Sequence, residues 1–234
     1  MGGKVYGVGL GPGDSELITL KAARVIAAAD VVAYPAPPDG PSFARSIAAA
    51  HLSAQQLEIP VRMPLDPATF PADEAYGAGA AAITAELAKG KTVAVLCQGD
   101  PCLYGSFMYL FDRLSTDWPV EIIPGVSSLG ATAGIAGRPL ALRDEPLAVL
   151  PGILDDEALE RLLSATEAAA ILKVGRHVGR LKALLSRLGL LDTAVLVERA
   201  TMPDARVRPL KDVMEDRAPY FSLILTRRRG AAVF

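Results

Sequence analysis

Short apolar or β-branched runs recur along the chain, and each is followed by a longer stretch in which apolar residues return every three or four positions. The runs Val5 to Gly9, Val31 to Tyr34, Leu57 to Val61, Thr92 to Cys97, Val120 to Ile123, Leu147 to Leu150, Ala169 to Val174, Ala194 to Val197 and Phe221 to Thr226 predict strands. The stretches Ser15 to Ala29, Ser42 to Ala50, Asp73 to Lys89, Gly105 to Leu114, Ser127 to Ile135, Asp155 to Ser164 and Val178 to Leu188 predict helices. Asp14 or Ser15 can cap the first helix, and Gly90 stands where the third should stop. Such alternation is the pattern of an α/β protein with largely parallel sheets. A Pro-flanked strand running into Pro124-Gly125 marks a break about halfway, so two α/β lobes are expected, 1–120 and 121–234. The segment Pro35 to Pro41 reads as a loop, because proline removes donors and fixes φ.

Composition narrows the class. Hydrophobic residues make up 51% of the 234 and charged residues 21%, which excludes a disordered or fibrous chain. Lys plus Arg (24) nearly balance Asp plus Glu (26), and no basic cluster is long enough for a nucleic-acid footprint. Of the 24 basic residues 17 are Arg, the better fork for a carboxylate, although an Ala- and Gly-rich composition accounts for the skew equally well. Cys97, Cys102, His51 and His177 are too few and too scattered for a zinc site, so no metal is expected. No run reaches the roughly 18 apolar residues of a membrane helix, since Arg24 and Asp30 interrupt the best candidate. The opening Met-Gly-Gly-Lys-Val-Tyr lacks the regions of a signal peptide, and a soluble cytoplasmic protein without a membrane partner is expected.

Three strand-to-helix turns carry the candidate chemistry. Gly7-Val8-Gly9-Leu10-Gly11-Pro12-Gly13-Asp14 offers no register of Gly-x-Gly-x-x-Gly, and no Gly-Lys-Ser/Thr follows, so neither a dinucleotide fingerprint nor a P-loop fits. Its glycines permit close backbone approach to something flat or bulky, with Pro12 stiffening the turn; a simple tight turn fits the same residues. Gln98-Gly99-Asp100-Pro101 follows the strand at Thr92, where Asp100 could accept hydrogen bonds from ribose hydroxyls or a ligand ammonium, or cap the next helix. Pro124-Gly125-Val126-Ser127-Ser128 is a third such turn, with hydroxyls that could contact a ligand or cap. Three turns of this kind point to one crevice built from several loops.

These blocks resemble the tetrapyrrole (corrin/porphyrin) methylases. Val8-Gly9-Leu10-Gly11-Pro12-Gly13 through Leu17-Ile18-Thr19-Leu20-Lys21-Ala22 is similar to the family's N-terminal signature. Val93 through Gly99-Asp100 and Tyr104-Gly105 to Pro124-Gly125 is similar to its second one, and weaker landmarks at Leu172 to Gly175, Val197-Glu198 and Leu223 to Arg227 extend the likeness along the chain. The strings Gly99 to Tyr109 and Gly125 through Gly137-Arg138-Pro139-Leu140 most resemble the members acting at C20 of precorrin-2 or cobalt-factor II. Tyr34 is followed by Pro35 where the uroporphyrinogen III methylases usually carry Asp, which weighs against the sirohaem branch.

The resemblance implies a bilobal class III methyltransferase, commonly a homodimer, with S-adenosylmethionine held between two mostly parallel α/β lobes. By match to the motifs it implies donor contacts at Pro12, Gln98, Gly99, Asp100, Leu103, Ser127, Ser128, Val174 and Ala200. Gln98 stands where a Gly is common, Val174 where a Met is common and Ala200 where a Gly is common. Arg138, Arg143 and Arg176 are candidates for the substrate carboxylates, with surface arginine as the competing reading, and Tyr34 is a further candidate for substrate binding. Methyl transfer to an electron-rich carbon requires no nucleophilic side chain, so no catalytic residue is assigned; Asp100 and Tyr104 are the polar groups nearest the signatures. Methylation of another tetrapyrrole carbon, or binding of donor and tetrapyrrole without turnover, stays open at this level.

Overall fold

The computed structural model describes residues 2–63 and 73–228. It divides into two compact units, Met1–Ser127 and Ser128–Phe234. Where the sequence pattern put the break at 120, the units part after Ser127, because the strand from Val120 pairs with the first strand of the chain.

The first unit is built on β1 (Lys4–Gly9), β2 (Val31–Ala36), β3 (Leu57–Arg62), β4 (Thr92–Cys97) and β5 (Val120–Ile123) in the order β3-β2-β4-β1-β5, all pairings parallel. Both faces are buried, and period-two alternation sorts the side chains. Val5, Val31, Ala33, Val93, Val95 and Cys97 share one core with α3 (Asp73–Leu87) and α4 (Phe107–Leu114). Val8, Val32, Tyr34, Ala94 and Leu96 share the other with α1 (Leu20–Ala28) and α2 (Phe43–Ala48). The helix after β1 thus covers one face and the helix after β4 covers the opposite face. Strands β1 and β4 are neighbours, so their carboxyl ends form a topological switch point, the usual place for a ligand crevice in such sheets.

Two expectations are corrected here. The first helix begins at Leu20 rather than Ser15: Asp14 heads a single 3-10 turn by accepting from the Glu16 N–H, and Thr19 Oγ1 caps α1 by accepting from Ala22 N–H at 3.1 Å. Strand β2 runs on through Pro35 and Ala36 into the expected loop. Its ladder to β4 ends at Ala33, so the missing donor of Pro35 interrupts nothing on that side.

The second unit carries β6 (Leu147–Pro151), β7 (Ala168–Leu172), β8 (Val195–Glu198), β9 (Arg206–Pro209) and β10 (Ser222–Arg227) in the order β6-β7-β10-β8-β9. Strands β6, β7 and β8 run the same way, but β10 lies antiparallel between β7 and β8, and β9 is antiparallel at the edge. The sheet is therefore mixed in its pairing, while the α/β class stands. Sequence periodicity did not mark β9, since Arg-Val-Arg-Pro has no apolar run and its residues are mostly exposed. Helices α6 (Asp156–Ser164) and α7 (Val178–Arg187) cover one face through Leu159, Leu163, Leu181, Leu184 and Leu185. Helix α5 (Ser128–Ala136) lies against β8. Among the described residues no helix is long and apolar enough to cross a membrane.

Edge strand β5 is tied inward by charge. Glu121 accepts from Lys4 Nζ of β1 at 2.7 Å and from Lys21 Nζ of α1 at 2.6 Å. Hydrogen bonds from Lys21 and Lys4 hold its carboxyl at about 2, against an ordinary value of 4.5. A carboxyl so depressed contributes stability above its unfolded value and loses it as pH falls toward its folded value. Replacing Glu121 with Gln should lower the urea midpoint at pH 7 and flatten the decline of that midpoint between pH 4.5 and 2; an unaltered decline would show that the triad does not couple the edge strand to pH.

Candidate active site

The turns that follow β1, β4 and β5 all leave the same end of the first sheet, and their backbones touch. Gly11 and Gly99 form an isolated antiparallel bridge, with Gly99 N–H donating to Gly11 O at 2.7 Å and Gly11 N–H donating to Gly99 O at 3.2 Å. Both residues have positive φ, +79° and +69°, which a side chain would oppose. Next to the bridge, a Cβ on Gly9 would sit 2.5 Å from Gly125 N, and a Cβ on Gly125 would collide with the Gly99 carbonyl. Glycine at these positions lets three chain segments meet backbone to backbone.

Asp100 completes the junction. Its Oδ1 accepts from the Cys102 N–H at 2.9 Å and its Oδ2 from the Gly125 N–H at 3.0 Å, so one carboxylate fixes its own turn and pins the turn after β5. It does not cap α4, which begins at Phe107 behind Ser106, a residue that makes no side-chain cap bond. Tyr104, half exposed, is held at φ +54°, an uncommon conformation for a non-glycine residue that clusters at functional sites. Pro12, Gln98, Leu103 and Ser127 are half-buried around these turns. Cys97 closes β4 inside the core, where burial pushes its thiol up and does not suit a nucleophile, while Cys102 is exposed.

In the second unit the turns after β7 and β8, strands that run the same way, carry two of the other assigned donor positions, Val174 and Ala200. Ser128 opens α5. Val174 is fully buried among the α6 and α7 leucines, so its side chain serves the core and its carbonyl accepts from His177 N–H at 2.6 Å. Half-buried Ala200 stands between two residues in the left-handed region, Arg199 at φ +50° and Thr201 at φ +69°. Lys173, after β7, is at φ +56°.

The four residues assigned to substrate binding divide. Tyr34 is buried, and its hydroxyl donates to Glu58 Oε2 at 2.6 Å; Arg45 grips the same carboxylate with two bonds of 2.6 and 2.7 Å. Burial and then Glu58 raise the Tyr34 hydroxyl, while Arg45 lowers the Glu58 carboxyl. Arg138 donates to the Thr193 carbonyl at 2.7 Å. Tyr34 and Arg138 are therefore engaged within the fold. Arg143 and Arg176 are exposed, the former at φ +48° and the latter 3.4 Å from His177 Nε2. Burial, then Arg180 and Arg176, hold the His177 imidazole below its usual value. Sequence reasoning missed the Gly9–Gly125 contact and the left-handed pair around Ala200, because neither a nonlocal backbone approach nor a φ angle has a signature in one sequence.

The fold and these turns are those of a known class: a family model for the Tetrapyrrole (Corrin/Porphyrin) Methylases matches residues 4–213, and the chain belongs to that family. It is 42% identical over 231 residues to a precorrin-2 C(20)-methyltransferase of Sinorhizobium sp, covering 95% of this chain and 94% of the relative. It is 34% identical to a cobalt-precorrin-2 C(20)-methyltransferase of Salmonella typhimurium, with 98% of each chain covered. Among solved structures, a uroporphyrin-III C-methyl transferase of Thermus thermophilus complexed with S-adenyl homocysteine superposes with TM-score 0.67 at 28% identity, covering 96% of this chain and 92% of the other.

Two substitutions test the junction. Gly125→Ala should cost about 1–3 kcal/mol by overpacking, and Asp100→Ala about 1–3 kcal/mol by stranding backbone donors. The double variant should cost less than the sum, since both act on one contact. Gly77→Ala in α3, where a Cβ meets nothing within 4 Å, should instead stabilise by up to about 1 kcal/mol. Urea midpoints read all four; equal effects at Gly77 and Gly125 would remove the crowding argument.

Proposed function

We propose that this chain transfers a methyl group from S-adenosylmethionine to C20 of precorrin-2, or of its cobalt-containing counterpart cobalt-factor II, in cobalamin biosynthesis, giving precorrin-3A or cobalt-factor III and S-adenosylhomocysteine. The observation that carries this reading is 42% identity over nearly the full length of a precorrin-2 C(20)-methyltransferase. The glycine junction and the turn at Ala200 support it as surfaces suited to the donor. Donor contacts are assigned to Pro12, Gln98, Gly99, Asp100, Leu103 and Ser127 in the first unit and to Ser128, Val174 and Ala200 in the second, Val174 acting by fixing its turn. The protein acts in the cytoplasm as a homodimer.

The bound donor supplies an already activated sulfonium methyl. The protein's work is alignment: bringing the meso carbon in line with the methyl and the departing sulfur, which contributes through orientation rather than acid–base strength. Asp100 serves that task indirectly, by fixing the relation of two turns with two backbone bonds. Arg143 and Arg176, exposed and free of carboxylate partners among the described ion pairs, are placed to grip acetate or propionate groups of the macrocycle. A pyrrolic nitrogen makes the meso carbon enamine-like, and the proton lost after methylation requires only a weak acceptor.

Anaerobic incubation with methyl-labelled S-adenosylmethionine and precorrin-2, with and without cobalt, tests the reading through product mass and the labelled carbon. One methyl at C20 is expected, and the faster substrate reports the metal state used. Label at another carbon would overturn the regiochemistry, and no transfer despite donor binding would overturn the assigned activity.

A further inference from the structure

The three-residue turn after β8 is held in a conformation its residues resist. Arg199 and Thr201 both lie at positive φ, and Thr201 is β-branched, for which this region is strongly disfavoured. A bend of this kind persists only where its surroundings over-determine it. Some of the restraint is local: Arg199 N–H donates to Phe221 O at 2.6 Å, Arg199 pairs with Asp204 at 2.5 Å, and Met202 N–H donates to Arg199 O at 3.0 Å.

The rest comes from the residue just before the turn. Glu198 ends β8 with its side chain only 7% exposed, and its Oε2 accepts from Arg208 Nη2 of β9 at 3.2 Å. Arg208 in turn holds Glu215 through Nη1 at 3.0 and 3.1 Å. In the β8–β10 pairing, Glu198 stands directly opposite Ser222, so both side chains leave the same face of the sheet. Ser222 Oγ and Arg208 Nε are buried without a hydrogen-bond partner. A buried carboxylate held by a half-buried arginine, with polar atoms beside it left unsatisfied, is a poor device for stability. Its position, one residue ahead of two left-handed residues, gives it another use.

We infer that Glu198 is a positioning residue for the methyl-donor turn: clamped by Arg208, it fixes the end of β8 so that Arg199 and Thr201 hold Ala200 in the one backbone conformation that meets the donor. This rests on the assignment of Ala200 to the donor site, and it goes beyond that assignment by naming the residues that set the turn. Neither Glu198 nor Arg208 touches the donor or the macrocycle in this scheme.

Calorimetric binding of S-adenosylhomocysteine is the test. The wild-type protein is measured first; its failure to bind would overturn the donor assignment itself. Given wild-type binding, Glu198→Gln should weaken affinity about tenfold and raise KM for S-adenosylmethionine, with kcat at saturating donor within about twofold and KM for the tetrapyrrole unchanged. Adding Thr201→Gly to E198Q should recover most of the lost affinity, because glycine accepts positive φ without cost. A purely stabilising role for Glu198 predicts a lower melting temperature with no such rescue. Should E198Q fail to fold, Arg208→Lys, which keeps the charge and loses the fork, should give the same tenfold weakening. Affinity within twofold of wild type in whichever variant folds, or absence of rescue, would overturn the inference.

Discussion

The first unit depends on three glycine backbones being in contact. Gly9, at the end of β1, and Gly125, far along the chain, approach so closely that a Cβ on either would strike backbone, and the Gly99 carbonyl lies against both. Because backbone cannot swing aside as a flexible side chain can, this contact sets the relation of the turns within narrow limits. The Gly11–Gly99 bridge and the two bonds of Asp100 then lock it. The same glycines that permit the approach leave peptide surface, rather than side chains, facing the switch point between β1 and β4. Packing constraint and exposed peptide surface are two sides of one arrangement, in which the acidic residue of the signature turn spends both its oxygens on backbone donors.

The second unit meets a similar demand by other means. Its turns at Lys173 and at Arg199 to Thr201 reach positive φ without glycine, so the conformation is imposed from outside by strand pairing, ion pairs and the core behind them. Inserting β10 between β7 and β8 matters here: Phe221, at its entrance, provides the carbonyl that receives the Arg199 N–H. The junction of the first unit rests mainly on residue choice and these two turns of the second on context, although Tyr104 shows that the first unit also holds one non-glycine residue at positive φ.

This contrast also decides what could be read from the residues. In the first unit the strand runs and the Gly-Pro-Gly turn were legible, since alternation and turn chemistry are local properties, whereas the bond from Gly125 N–H to Asp100, read from sequence as a ligand acceptor or helix cap, was not. The assignment of α1 to Ser15 failed because Asp14 and Thr19 are both good caps, and the second one won. In the second unit β9 was invisible, being short, charged and at an edge, and the position of β10 is a matter of nonlocal pairing. The arginines that the sequence offered for substrate show the same limit: Arg138 and Arg143 lie five residues apart and read alike, yet one is spent on the Thr193 carbonyl and the other is exposed. Tyr34, attractive at a strand end, is taken up by Glu58 and Arg45, partners that no local pattern announces.

The strand order of the first sheet bears on how the protein comes into being. Strand β1 is made first, yet its neighbours are β4 and β5, whose residues begin at Thr92 and Val120. On a growing chain β1 must wait for most of its unit to be synthesised before either edge of it is paired, and such nonlocal pairing is slow to form. The glycine junction assembles only in that last step, from turns at opposite ends of the unit. A nascent chain that has not completed its first unit therefore lacks the junction altogether, and the close approach of the three turns arrives together with the final strand.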